Sequence, residues 1–154
     1  MIIGVLKEPS PETRVSLLPE HVAILKKWNV DVLVESNAGV TAFANDGKYT
    51  EAGANIKSRS EVLQRSDFIV SINALPQSEI TDLKSKVILG VYQPLFNAGL
   101  MKELAAKGLT VFSMDMLPRT TRAQSMDILS SQANIAGYKA VLLAANLFPK
   151  YFPM

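Results

Sequence analysis

The sequence predicts an α/β fold: a doubly wound, mostly parallel sheet of about five strands in flavodoxin-like order, followed by a long linking helix. Two observations favour this class. The first 35 residues read as strand, helix and strand, a βαβ unit that requires parallel strands. Short apolar runs then alternate with helical segments as far as residue 113.

Residue types and turn-forming residues indicate the first βαβ unit. Residues 2–6 are apolar and end at a turn cluster with two prolines, as expected of a buried strand. Pro19 suits the first position of a helix over residues 19–28, where apolar residues recur at spacings of three and four. The β-branched stretch at residues 30–35 is the second strand.

The later elements follow the same alternation. The remaining strands are apolar runs at residues 68–72, 87–92 and 109–113. Short helices are predicted before the first of these strands, at residues 49–53 and 60–64, and a third helix before the last of them, at residues 98–107. Ser58 or Ser60 caps the second of these helices. Gly108 ends the third, because glycine adopts the left-handed conformation that a helix C-terminus requires.

The chain changes character after residue 113. Residues 114–127 are polar and strongly punctuated, and a long helix is predicted over residues 129–148. The last part of this helix is apolar nearly all round, and such a helix is normally buried on every side. It therefore packs in a dimer interface or a tight core, or it links this domain to a second one. We expect an N-terminal α/β domain at residues 1–127.

Composition excludes several classes of site. The 154 residues contain no cysteine and one histidine, His21, so we expect no disulfide, no cysteine nucleophile and no metal site. His21 is predicted to lie on a helix surface. The formal net charge is +2 without a dense basic run, which makes nucleic acid a poor partner. No apolar run approaches the ~20 residues of a membrane span, and no signal peptide is recognisable, so a cytoplasmic protein is expected.

Two polar segments follow predicted strands and so lie at the carboxyl edge of the sheet, where open α/β sheets bind ligands. In the first, Arg14 could clamp a carboxylate or phosphate, or it could pair with Glu8 or Glu12. The second, residues 119–127, holds two arginines, an amide, an acid and three hydroxyls. It suits a ligand bearing an amide or a sugar, or it bonds internally and caps the next helix.

Phosphate-binding loops are not recognisable. The eight glycines form neither G-x-G-x-x-G nor G-x-x-x-x-G-K-[ST]. The chain alone is therefore expected to hold no nucleotide.

Two stretches carry a resemblance to a known family. G-V-x-K-E from Gly4 to Glu8, with T-R-V-S-L-x-P-E-H-V from Thr13 to Val22, resembles the opening of the alanine dehydrogenase/pyridine nucleotide transhydrogenase family. Residues 118–141 resemble the signature of the NAD(H)-binding component of proton-translocating transhydrogenase. The resemblance covers essentially the whole chain.

The resemblance implies a function and a site. It implies the N-terminal part of a subunit that transfers hydride between NAD(H) and NADP(H), coupled to proton translocation by membrane partners. Arg119, Gln124 and Asp127 would form the catalytic loop over the nicotinamide. Arg119, Asp127 and Ser130 would position the ring and its carboxamide, and Gln124 would reach toward the second nicotinamide. Tyr138 falls on the family's Gly-Tyr pair and would line the same cleft.

Cofactors and partners follow from the same resemblance. NAD(H) would be bound by the full subunit and NADP(H) by a partner domain. The resemblance implies NADP(H)-binding and membrane-spanning components that keep the subunit at the inner membrane, and a homodimer is expected as well. Because a Rossmann domain follows in the family, residues 128–154 are interpreted as an interdomain helix and the start of that missing domain. The chain alone is then expected to be inactive.

The departures from the family define the alternatives. Alanine dehydrogenases place a substrate-binding lysine and a histidine where this chain has Ser71 and Gln93, although Arg14 is retained. An alanine dehydrogenase-like amino-acid oxidoreductase is therefore one alternative. A non-catalytic module that dimerises through the helix at residues 129–148 is the other.

Overall fold

The computed structural model describes residues 1–150, in two compact units. The first unit comprises Met1–Ser113, and the second begins at Met114. Residues 151–154, which the second predicted domain includes, lie outside the described residues. The two units are defined by contacts within this chain alone. They do not test the domain boundary predicted at residue 127, which stays a prediction.

The first unit is an α/β sandwich. Its strands are β1 (Ile2–Val5), β2 (Asp31–Glu35), β3 (Asn55–Lys57), β4 (Phe68–Asn73), β5 (Val87–Val91) and β6 (Thr110–Ser113). Its helices are α1 (Pro19–Lys27), α2 (Asp46–Glu51), α3 (Arg59–Arg65), α4 (Gln77–Ile80) and α5 (Ala98–Ala106). A short 3-10 turn spans Val40–Ala42.

All five neighbouring strand pairs are parallel, in the order β3-β2-β1-β4-β5-β6. Without β3, this is the predicted flavodoxin-like order of five strands, so the predicted fold class is confirmed. The three residues of β3 extend one edge and produce the other common doubly wound order. β3 was not predicted, because Asn55 and Lys57 are polar and only Ile56 favours a strand. The helix α4, which is four residues long, was not predicted either.

Each face of the sheet has its own core. On one face Val32 and Val34 of β2 pack with Val5, Val22 and Tyr49, all of them fully buried. Leu33, between the two valines, belongs to the cluster on the opposite face. Because helices cover both faces, the strands read as continuous apolar runs rather than alternating ones.

Local signals place the helix ends. Ser58 caps α3 in a full capping box with Glu61, which decides between the two serines that the sequence allowed. Gly108 follows α5 with φ +67°, as predicted. On α1, Val22 is buried, but Ile24 is 45% exposed, and Trp28, directly after the helix, is 70% exposed. Part of the predicted apolar face therefore points to solvent.

The second unit consists of short 3-10 turns at Met114–Met116 and Ala123–Met126 and the helix α6 (Ile128–Leu147). None of the twenty residues of α6 is buried. Within residues 1–150, no helix combines the length and hydropathy needed to cross a bilayer.

Candidate functional site

The loop at residues 117–127 is closed by local hydrogen bonds. The amides of Ala123 and Gln124 donate to the Thr120 carbonyl at 3.0 and 3.1 Å, and Ala123 is buried. These contacts form the turn that leads into the 3-10 helix Ala123–Met126. The loop thus has a defined shape although most of its side chains are exposed.

A cavity of about 480 Å³ lies within the second unit. Four of the predicted site residues line it, namely Arg119, Gln124, Asp127 and Ser130. The remaining lining residues are Met114, Asp115, Leu117, Pro118, Thr120, Thr121, Ala123 and Leu129. Asp115 was not among the predicted site residues, because it belongs to the polar segment after β6 but carries no spacing signal of its own.

Asp127 has a dual position as a cavity residue and as the N-cap of α6. Its carboxylate accepts the amides of Leu129 and Ser130 at 3.0 and 3.1 Å and the Ser130 hydroxyl at 2.6 Å. These bonds from Ser130 and Leu129, with the charge of Arg119, lower the pKa of Asp127 below its ordinary value. The group is therefore an ionised acceptor, held in one orientation by the helix that it caps.

The cavity also presents donors. The side chains of Arg119 and Gln124 are exposed, and within the described residues neither forms a side-chain hydrogen bond. Their donor groups are thus available to a ligand. Tyr138 lies two turns along α6 from Ser130, is 69% exposed and does not line this cavity, so its assignment stays a prediction.

Arg14 lies in the first unit, in the segment between β1 and α1. Its Nε and Nη2 donate to the two carboxylate oxygens of Glu12 at 2.9 and 2.6 Å. This bidentate contact, mainly through the side-chain hydrogen bond from Arg14, lowers the pKa of Glu12 to about 2. Of the two partners that the sequence allowed, the structure selects Glu12.

The Glu12–Arg14 pair predicts a pH dependence of stability. Because the pKa of Glu12 is lower in the folded chain, the pair stabilises the fold fully above about pH 4.5 and loses this contribution as the pH falls toward 2. The Arg14 side chain is 50% exposed, so solvent screening limits the effect to about 1 kcal/mol or less.

The measurement is urea unfolding of the wild type and Glu12→Gln at pH 7 and pH 3. At pH 7 the wild type is expected to have a larger free energy of unfolding than Glu12→Gln. The difference between their free energies of unfolding is expected to be smaller at pH 3. An equal difference at both pH values would contradict the prediction.

Ser71 and Gln93 are the residues at which the resemblance would place the lysine and the histidine of alanine dehydrogenases. Ser71 is buried in β4 and its hydroxyl donates to the Asn73 carbonyl at 2.8 Å. Gln93 is exposed and follows β5 with φ +47°. His21 is exposed on α1, as predicted. In residues 1–150, no three His, Asp or Glu side chains cluster as a metal ion would need.

Comparison with known proteins identifies the family. The sequence profile described as "Alanine dehydrogenase/PNT, N-terminal domain" matches residues 4–136. The chain belongs to this family. The match confirms the resemblance predicted from the residues at 4–22 and 118–141.

Three similar proteins place the chain within the family. It is 42% identical over 154 residues to the NAD(P) transhydrogenase subunit alpha of Haemophilus influenzae, covering 99% of this chain and 30% of that protein. The crystal structure of transhydrogenase from Sinorhizobium meliloti superposes with a TM-score of 0.92 at 38% identity, covering 100% of this chain and 47% of that one.

An alanine dehydrogenase of Staphylococcus saprophyticus is 29% identical over 155 residues, covering 98% of this chain and 41% of that protein. The chain thus spans less than half the length of these relatives, and the transhydrogenases are the more similar branch.

Proposed function

We propose that this chain forms the N-terminal part of the NAD(H)-binding subunit of an NAD(P) transhydrogenase. The observation that carries the proposal is the single cavity lined by Arg119, Gln124, Asp127 and Ser130. The similarity to transhydrogenase alpha subunits supports it. The alanine dehydrogenase alternative is less well supported, because Ser71 and Gln93 supply neither an ammonium nor an imidazole.

The side chains of the cavity fit a nicotinamide carboxamide. A carboxamide offers one carbonyl acceptor and two N–H donors. Asp127 is an oriented, ionised acceptor for an N–H donor. Arg119 can donate to a carbonyl oxygen, because its guanidinium forms no hydrogen bond among residues 1–150. Ser130 both lines the cavity and holds Asp127 in place. We therefore assign Arg119, Asp127 and Ser130 to positioning the ring.

The chemistry asked of this chain is orientation and the exclusion of water. When bound, the nicotinamide cofactor supplies or accepts the hydride, and direct transfer between two rings requires no acid or base from the protein. Correct placement of two reactants is by itself a large source of rate enhancement. This requirement is consistent with a polar cavity lined by neither cysteine nor histidine.

Gln124 is assigned to the side of the cavity that meets the second nicotinamide. Its exposed amide can donate and accept a hydrogen bond, so it can contact a ring held by another component. The partners proposed are an NADP(H)-binding component and a membrane-spanning component, with the NAD(H)-binding subunit as a homodimer. NAD(H) would require the rest of the subunit, because this chain has no glycine-rich phosphate cradle.

The test is a chimaera in which this chain replaces the matching part of the Haemophilus influenzae alpha subunit. Membranes that contain the chimaera and its partner subunit are expected to reduce an NAD⁺ analogue with NADPH. The same preparation is expected not to form NADH from NAD⁺ and alanine. Alanine-dependent NADH formation without transhydrogenation would favour the dehydrogenase alternative and contradict the proposal.

A further inference from the structure

The end of β4 leaves two backbone N–H groups without strand partners. β1 ends at Val5, opposite Val70, and the β4–β5 register is irregular between Val70 and Asn73. The amides of Ile72 and Asn73 therefore point toward the space beyond β1, where strand order reverses and open α/β sheets bind ligands. Buried amides need an acceptor, so this space requires one.

The acceptor is a carboxylate of the chain itself. Oε1 of Glu8 accepts the Ile72 amide at 2.5 Å, and Oε2 accepts the Asn73 amide and the Asn73 side-chain Nδ2, both at 3.0 Å. Glu8 is only 7% exposed although it lies in the loop that follows β1. Three N–H donors from residues more than sixty positions away thus converge on one carboxylate.

Glu8 also forms part of the wall of two cavities. One, of about 240 Å³, is lined by Glu8 together with Lys7, Arg59 and Ser71, and the other, of about 170 Å³, by Glu8 together with Lys7 and Arg14. Lys7 adds positive charge beside the carboxylate, whereas the charge of Arg59 is compensated by two other carboxylates, one of them Glu79 at 2.6 Å. The Glu35 carboxylate on the larger cavity is already paired with Arg59 at 2.8 Å.

We infer that the switch point between β1 and β4 is a receptor for a small monocarboxylate, and that Glu8 is its resident ligand. The donor set has the composition of an anion site, and the group that it holds is a carboxylate. In the intact chain the receptor is filled, so it fastens the β1–α1 loop to β4. This inference is independent of the nicotinamide cavity, which lies in the other unit.

The atoms that are lost when Glu8 is truncated determine which carboxylate the vacated receptor should bind. Truncation of Glu8 to alanine deletes one methylene and the carboxylate, which are together the heavy atoms of acetate. The vacated receptor should therefore bind acetate best, with formate too short to fill it and propionate too long to fit against the alanine. Chloride has no pair of oxygens for the three donors.

The test is thermal unfolding of the 154-residue chain and Glu8→Ala in chloride, formate, acetate and propionate at equal ionic strength. Glu8→Ala is expected to melt below the wild type in chloride. Acetate is expected to raise its melting temperature with the logarithm of its concentration, by roughly 3–6 °C at ten times the dissociation constant. The wild type should respond equally to acetate and chloride.

Two further variants serve as matched controls. Glu8→Gln keeps the volume of the side chain but turns an NH2 group toward the N–H donors, so it should be destabilised and should not respond to acetate. Glu51→Ala removes an exposed carboxylate of α2 that accepts no side-chain hydrogen bond within residues 1–150, and it should show no response to acetate. An acetate response of Glu8→Ala no larger than that of these controls would overturn the inference.

If Glu8→Ala is recovered only as unfolded protein, a refolding experiment takes the place of thermal unfolding. Refolding from urea would then be compared in acetate and in chloride. A larger folded fraction in acetate, measured by circular dichroism, supports the receptor. Equal fractions in the two salts would overturn it.

Discussion

Arg119→Ala is expected to lower hydride transfer by about 10²–10³-fold in the chimaera described above, which is the loss typical of removing one preorganised donor from a reacting centre. The Arg119 side chain is exposed, lines the candidate cavity and forms no hydrogen bond within the described residues. The fold therefore does not depend on it. The melting temperature of the variant chain should remain within about 2 °C of the wild type, since exposed substitutions rarely change stability by more than ±0.5 kcal/mol.

The same loop supplies the matched control for this prediction. Arg122 is also exposed and lies three residues away, but it does not line the cavity. Arg122→Ala removes the same charge from the same loop and should change the turnover less than threefold. Arg119→Lys should recover only part of the activity, because lysine lacks the planar set of donors.

Equal rates in the two alanine variants would contradict the role assigned to Arg119. Measurement of kcat and KM separates two further cases. A fall in kcat with little change in KM indicates an interaction made in the transition state, whereas a rise in KM alone indicates binding only. We expect the first pattern, because the ring must be oriented for transfer.

Gly4→Val is expected to lower the free energy of unfolding by at least about 3 kcal/mol, and Gly4→Ala by about 1–3 kcal/mol. Gly4 lies in β1 beneath α3. A Cβ at this position would collide with the Ser66 hydroxyl and would lie 2.8 Å from Cγ1 of Val62 and 2.9 Å from Cβ of Ser66. Val62 and Ser66 are fully buried, so neither can move into solvent. Urea unfolding gives the free energies directly.

Two variants test the physical reason. Gly99→Ala, in α5, introduces a Cβ with no neighbour within 4 Å and should be neutral or stabilising by up to about 1 kcal/mol. Ser66→Gly removes both colliding atoms of Ser66, so the double variant with Gly4→Ala should lose less stability than the sum of the single losses. Strict additivity would show that contact with Ser66 is not the cause.

Local sequence signals predicted most of the first unit. Five strands, the Ser58 cap and the Gly108 helix end follow from apolar runs and from residues with special backbone preferences. The prediction failed where such a signal is weak. Asn55–Lys57 becomes a strand only because β2 offers an unpaired edge, with Leu33 pairing with Asn55. Such pairing is a property of the neighbouring strand rather than of the three residues.

The candidate nicotinamide loop was also accessible from sequence, because its residues are contiguous. Arg119, Gln124 and Asp127 lie within nine positions, so local turns suffice to bring them to one cavity. Whether they hold a cofactor remains a proposal. Asp115 shows the limit of this approach, since only the folded loop reveals that it lines the same cavity.

The sequence by itself determined the alternation of elements, the class of sheet and the family, because each depends on residue order over short stretches. Tertiary structure decided the roles of the acidic residues near the N-terminus. Spacing allowed Glu8 or Glu12 to pair with Arg14, and the fold assigns Glu12 to Arg14 and Glu8 to the amides of Ile72 and Asn73. The physical reason is that a buried N–H group beyond the end of a neighbouring strand must find an acceptor. Which amides are left without one is settled only when β1 and β4 pair.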